Sequence, residues 1–110
     1  MMNSESENPK PQEESDVAVL EGDAETDFPK RFAVILWNDD YTSMEFVIEV
    51  LVRFFKKTQQ EAAKIMMQVH KQGKGIAGVY SFEIAETKAA QVNDYAKSQG
   101  HPLKCTIEPV

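Results

Sequence analysis

Cysteine is nearly absent: Cys105 is the only one in 110 residues. A lone thiol makes no internal disulfide and no cysteine-rich zinc site. Long apolar runs are missing too. The longest, Phe32 to Trp37, has six residues, where a membrane-spanning helix needs roughly 20. The first 29 residues contain no apolar stretch of signal-peptide type. The expected setting is therefore the cytoplasm, with no membrane association. At 110 residues the chain is too short for a large multidomain enzyme and fits one small domain.

Basic residues are scarce in one stretch only. Residues 1 to 29 carry nine acids and a single base, Lys10, for a net charge of -8. The remaining 81 residues carry 11 bases and nine acids, for +2. The chain thus divides near residue 30. The first part is rich in Glu, Ser, Asp and Asn, with Pro9 and Pro11. It has too little apolar surface to offset the entropy of ordering, and is expected to be a disordered acidic extension. Its one apolar patch, Val17-Ala18-Val19-Leu20, reads either as chance or as a short docking segment. A charge of +2 on residues 30 to 110 leaves no strong nucleic-acid footprint.

Phe32 to Trp37 is short, β-branched and apolar throughout, which predicts a buried strand. Asn38-Asp39-Asp40 ends it as a turn. Thr42-Ser43-Met44-Glu45 fits a capping box with Thr42 as N-cap. Met44, Val47, Ile48, Leu51 and Phe55 then repeat at helical spacing. Thr58 to Glu61 forms a second capping box, followed by Ala62, Ile65, Met66 and Val69 on one face. His70 lies beside that stripe, and Gly73 ends the helix.

Residues 75 to 80 suggest a short strand, and Ser81 a cap for a third helix with Ala85, Ala89, Val92 and Ala96 inward. Residues 102 to 107 alternate apolar and polar and predict a last strand. The order is β-α-α-β-α-β, with no internal repeat. The expected fold class is α/β (α+β): one small domain over residues 30 to 110, its three helices on a mostly antiparallel sheet.

Several chemistries find no support in the spacing. Gly73, Gly75 and Gly78 spell G-x-G-x-x-G. The nucleotide fingerprint, however, needs the order strand, loop, helix, and here a helix precedes and a strand follows. Asp39, Asp40 and His70 contain metal-binding types but no H-x-x-x-H or EF-hand spacing. No Ser/His/Asp arrangement is legible, and Cys105 has no visible activating partner. Met66 and Met67 read as core filler. No cofactor, no metal and no enzymatic activity are expected. The cluster Asn38-Asp39-Asp40 stays open to two readings. It is a plain turn, or with a neutral His70 it offers acceptors suited to an ammonium group.

Leu36 to Val47 resembles the N-D-D-Y-T-P-M-E-F-V signature of the ClpS family, adaptors of the bacterial N-degron pathway. The similarity continues through Met66 to His70, Gly78 to Tyr80, Glu83 to Lys88 and His101 to Cys105. It spans about residues 31 to 108. The resemblance implies a three-helix, three-stranded antiparallel domain that binds proteins beginning with Phe, Leu, Trp or Tyr. It implies delivery of these to the AAA+ unfoldase ClpA and its protease ClpP, with the extension engaged by the unfoldase. By position, Asn38, Asp40 and His70 would hold the free α-amino group, and Asp39 would belong to the same acidic mouth. Leu36, Trp37, Thr42, Met44, Val47, Met66, Val69 and Leu103 would line the side-chain pocket, with Met44 excluding β-branched side chains. Two departures stand out. Ser43 replaces the usual Pro, which would loosen the start of the first helix. Trp37 is bulkier than the residue expected there and would make the pocket shallower. The competing reading is a module that docks the unfoldase without reading N-termini.

Overall fold

The computed structural model describes residues 30–110. The extension expected over residues 1 to 29 lies outside the described residues. The elements are β1 (Arg31–Trp37), α1 (Met44–Phe55), α2 (Gln59–Gln72), β2 (Lys74–Ser81), α3 (Phe82–Ser98) and β3 (Lys104–Pro109). This is the β-α-α-β-α-β order that the sequence predicts.

The strands form one antiparallel sheet in the order β2-β1-β3. The central position of β1 explains its composition. Ala33 to Leu36 are all buried, so no polar residue alternates through the strand. Its register with β2 shifts between Val34 and Ile35, which face Gly78 and Ile76. Ala77 is the extra residue of this bulge, and it is buried. Val34 and Leu36 join a single core with Val50, Leu51, Phe55, Ala62, Val69 and the inner face of α3. Each large aliphatic residue buried there contributes roughly 1.5–3 kcal/mol. The inward residues of α3 are small, Ala85, Ala89, Val92 and Ala96, so that helix can lie close to the sheet.

Polar groups complete the frame. The Asn93 side chain of α3 donates to the Cys105 carbonyl and accepts from the Cys105 amide, both at 2.9 Å. It thereby occupies backbone groups of the edge strand β3 that would otherwise be unpaired. Burial pushes the Cys105 thiol up to about 12, far from the range of a reactive thiolate.

The helix termini follow the sequence with one correction. Thr58 and Glu61 form the expected capping box of α2. At α1 the N-cap is Ser43 and not Thr42: the Ser43 hydroxyl accepts from the Phe46 amide at 3.1 Å. The Thr42 hydroxyl is taken by Asp39 instead. Ser43 therefore supplies a cap that proline lacks, and the expected loosening at this position is offset. Ser81 precedes α3 in extended conformation, but its side chain makes no capping hydrogen bond.

Candidate functional site

Asn38, Asp39 and Asp40 leave the C-terminal end of β1, and His70 lies 32 positions further along, in the last turn of α2. Two backbone features bring them together. Trp37 pairs with Lys74 in the sheet, and the Asn38 amide donates to the Gly73 carbonyl at 2.9 Å. Gly73 caps α2 in the left-handed region, φ 91°, while its amide donates to Val69. Only glycine adopts that conformation without strain. The turn that ends α2 is thus stitched to the end of β1, and His70 is held beside Asn38. Gly75 serves the same junction. A Cβ there would come within 2.8 Å of the Val69 Cγ2, so the missing side chain lets β2 pack close under α2.

The result is a cavity of about 400 Å³ between the β1–α1 loop and the end of α2. Asn38, Asp39, Asp40 and His70 form its polar side. Met44, Val47, Met66 and Val69 supply its apolar wall, with Tyr41, Thr42 and Ser43 along the loop. Val47, Met66 and Val69 are buried, whereas Met44 is 45% exposed at the rim. Tyr41, 82% exposed, lines its outer edge. A cavity of this size, with an apolar wall and a few convergent polar groups, has the make-up of a small-ligand site. It has room for one large side chain and a polar head group.

The polar groups differ in how they are used. The Asp39 Oδ1 accepts from the amides of Tyr41 and Thr42, at 2.8 and 2.7 Å, and its Oδ2 accepts from the Thr42 hydroxyl at 2.7 Å. Among the described residues, the side chains of Asn38, Asp40 and His70 make no such bonds, and all three are exposed. Among the described residues, no hydrogen bond occupies these side chains, which border the cavity. Burial alone would raise the Asp39 carboxyl. The Thr42 hydroxyl, the Thr42 and Tyr41 amides and, further off, His101 outweigh it and hold Asp39 below the usual carboxylate range. A depressed carboxyl contributes stability above its unfolded pKa, about 3.9, and loses it as pH falls through the lower folded value. Thermal melts should therefore show a loss of stability on acidification below about pH 4, and Asp39→Asn should remove part of it.

Three residues expected in the pocket lie elsewhere. Leu36 is fully buried in the core and Leu103 nearly so, neither lining the cavity. Trp37 points to the other side of the sheet, because successive strand residues alternate faces. Its indole donates to the Thr106 hydroxyl at 2.8 Å, with the Lys74 ammonium 5.1 Å over its ring. It borders a separate cavity with Pro102 and Lys104. The expected narrowing by Trp37 is thus corrected: its ring does not enter the pocket. Tyr41 and Ser43 also line the cavity, although the expected pocket set contains neither. Their position between Asp40 and Met44 was the available signal. Among the described residues, no group of three or more His, Cys, Asp or Glu side chains could hold a metal ion. No helix among them is long and apolar enough to cross a membrane.

Residues 27–106 match the family model of the ATP-dependent Clp protease adaptor protein ClpS. The ATP-dependent Clp protease adapter protein ClpS of Shewanella loihica is 57% identical over 91 residues, covering 81% of this chain and 89% of that protein. The corresponding protein of Rhodospirillum centenum is 49% identical over 90 residues, covering 82% and 83%. The solved structure of Agrobacterium tumefaciens ClpS2 bound to L-phenylalaninamide superimposes with a TM-score of 0.74 at 41% identity. It covers 76% of this chain and 100% of that one.

Proposed function

The chain belongs to the ClpS family of ATP-dependent Clp protease adaptors, and from that premise we propose that its cavity reads the first residue of a substrate protein. Asn38, Asp40 and His70 receive the free α-amino group, and the wall of Met44, Val47, Met66 and Val69, with Thr42 beside it, receives a Phe, Leu, Trp or Tyr side chain. The captured protein passes to the unfoldase ClpA and on to ClpP, and the acidic residues 1 to 29 serve that transfer. The observation that carries the reading is the meeting of Asn38, Asp40 and His70, unbonded among the described residues, with a largely buried apolar wall in one cavity. The phenylalaninamide held by the Agrobacterium relative supports it. That ligand is a phenylalanine with a free amino group and a neutral amide, the smallest model of a chain that begins with Phe.

The chemistry accounts for the choice of chain ends. A free α-amino group has a pKa of about 7.7–8.0 and is largely ammonium at neutral pH. Its three donors call for several acceptors at once, and an internal peptide group has neither the charge nor the donors. Burying a Phe or Leu side chain contributes roughly 1.5–3 kcal/mol. Each hydrogen bond to the charged group adds roughly 1.5–3 kcal/mol. Neither half of the contact suffices alone.

Fluorescence anisotropy with two labelled decapeptides tests the reading. One begins with Phe; the other is identical but begins with Ser. The Phe peptide should bind about tenfold or more tightly. Equal binding, or none, would leave an unfoldase-docking module that does not read N-termini.

Met44 lies half exposed at the rim of the cavity, and by the family resemblance it excludes side chains branched at Cβ. Met44→Ala should therefore create affinity for Ile- and Val-initiated peptides, within about tenfold of that for Leu. Titration of the variant with all three peptides checks this. Continued rejection of Ile and Val would move the restriction to another wall.

A further inference from the structure

We infer that Asp39 is a positioning residue of this site: by clamping the loop between β1 and α1 it holds Asp40 where it can receive the bound amino group. The inference deepens the reading of the cavity as an α-amino site, and rests on it.

The geometry separates the two acids. A carboxylate offers about four lone-pair directions. Three of those of Asp39 are occupied, by the Tyr41 amide, the Thr42 amide and the Thr42 hydroxyl. All three partners lie within the loop that joins β1 to α1. Asp39 thus folds this loop back on itself, as an Asx-type turn with an added hydroxyl clamp. Asp40 accepts no such bond among the described residues and is exposed beside the cavity.

The clamp sits where every important direction is set. Asn38 and Asp40 flank Asp39 on either side. Thr42, held by both oxygens, immediately precedes the Ser43 cap, and Met44 begins α1. Asn38 is already fixed from behind by the hydrogen bond that its amide donates to the Gly73 carbonyl. Without the clamp, the segment from Asp40 to Ser43 would be fixed at its two ends only. Asp40 would then sample several orientations, and the acceptors would no longer converge. The hydroxyl of Thr42 also becomes intelligible: it donates to Asp39 and completes the clamp.

Because the clamp needs acceptors and not charge, asparagine can replace it. Its Oδ1 can take both amides, and its Nδ2 can donate to the Thr42 hydroxyl oxygen. Affinity for a Phe-initiated peptide should stay within about threefold in Asp39→Asn and fall about tenfold or more in Asp39→Ala. Asp40→Asn should weaken binding about tenfold or more, since there the charge itself is used. Amide hydrogen exchange in the ligand-free protein gives a second readout. Protection of Tyr41 and Thr42 should persist in Asp39→Asn and drop about tenfold or more in Asp39→Ala, with the protection of core strands unchanged. An Asp39→Asn variant that loses as much affinity as Asp40→Asn would overturn the inference, as would unchanged loop protection in Asp39→Ala. If the parent protein binds no Phe peptide, the reading of the cavity fails, and the exchange data still decide whether Asp39 clamps the loop.

Discussion

Acetylating the first residue of a Phe-initiated peptide should weaken its binding by about a hundredfold or more. Acetylation leaves the Phe side chain intact but removes the positive charge and two of three donors. Each hydrogen bond to the charged group is worth roughly 1.5–3 kcal/mol, and about 1.4 kcal/mol is a factor of ten. The loss of two such bonds spans two to four orders of magnitude, and the lower end applies here. Asn38, Asp40 and His70 are exposed, so water can solvate them once the ammonium is gone. Anisotropy with the free and acetylated forms of one decapeptide measures the effect. Raising the pH above about 8 should weaken the free form as its amine loses the proton, and leave the acetylated form unchanged. Equal affinity for both forms would place binding on the interior of the peptide and remove the basis for chain-end selection.

The elements were legible because their signals are local. The Thr58–Glu61 capping box, the Gly73 stop and the small-residue face of α3 each rest on residues close in sequence, and the structure has each of them. Three features depended on more. At the start of α1 two hydroxyls, Thr42 and Ser43, compete for the cap, and the choice turns on the carboxylate of Asp39 three positions before Thr42. A pattern that sees only the cap and the residue after it misses that competitor. On β1 the run is apolar throughout, so hydropathy does not say which residues face the helices. Leu36 therefore goes to the core and Trp37 to the opposite face, and neither joins the pocket. The site itself was least legible from the residues alone. Asn38 and His70 are brought together by the pairing of β1 with β2 and by one backbone bond to Gly73, and no spacing rule reports such a meeting. The family resemblance named the residues; the topology supplies the physical reason that they can act together.

That topology sets up the second large effect. Asp40→Ala should weaken binding of a Phe-initiated peptide by about thirtyfold, and His70→Ala by about tenfold. The order follows from charge: the carboxylate accepts a charge-assisted hydrogen bond, whereas the ring of His70 offers one acceptor nitrogen. Both side chains are exposed and, among the described residues, unbonded. Their removal should therefore change stability by no more than about 0.5 kcal/mol, readable from thermal or denaturant melts. A melt shifted well beyond that would mean that the residue holds the fold and that the loss of affinity is indirect. The ligand then provides the internal control. Against the acetylated peptide, which has no ammonium to receive, both substitutions should cost almost nothing. The coupling between Asp40 and the amino group, taken from the four affinities of protein variant and peptide form, should equal nearly the whole loss seen with the free peptide. Losses of similar size for both peptide forms would mean that Asp40 shapes the pocket for the side chain, and the amino group would have to be received elsewhere.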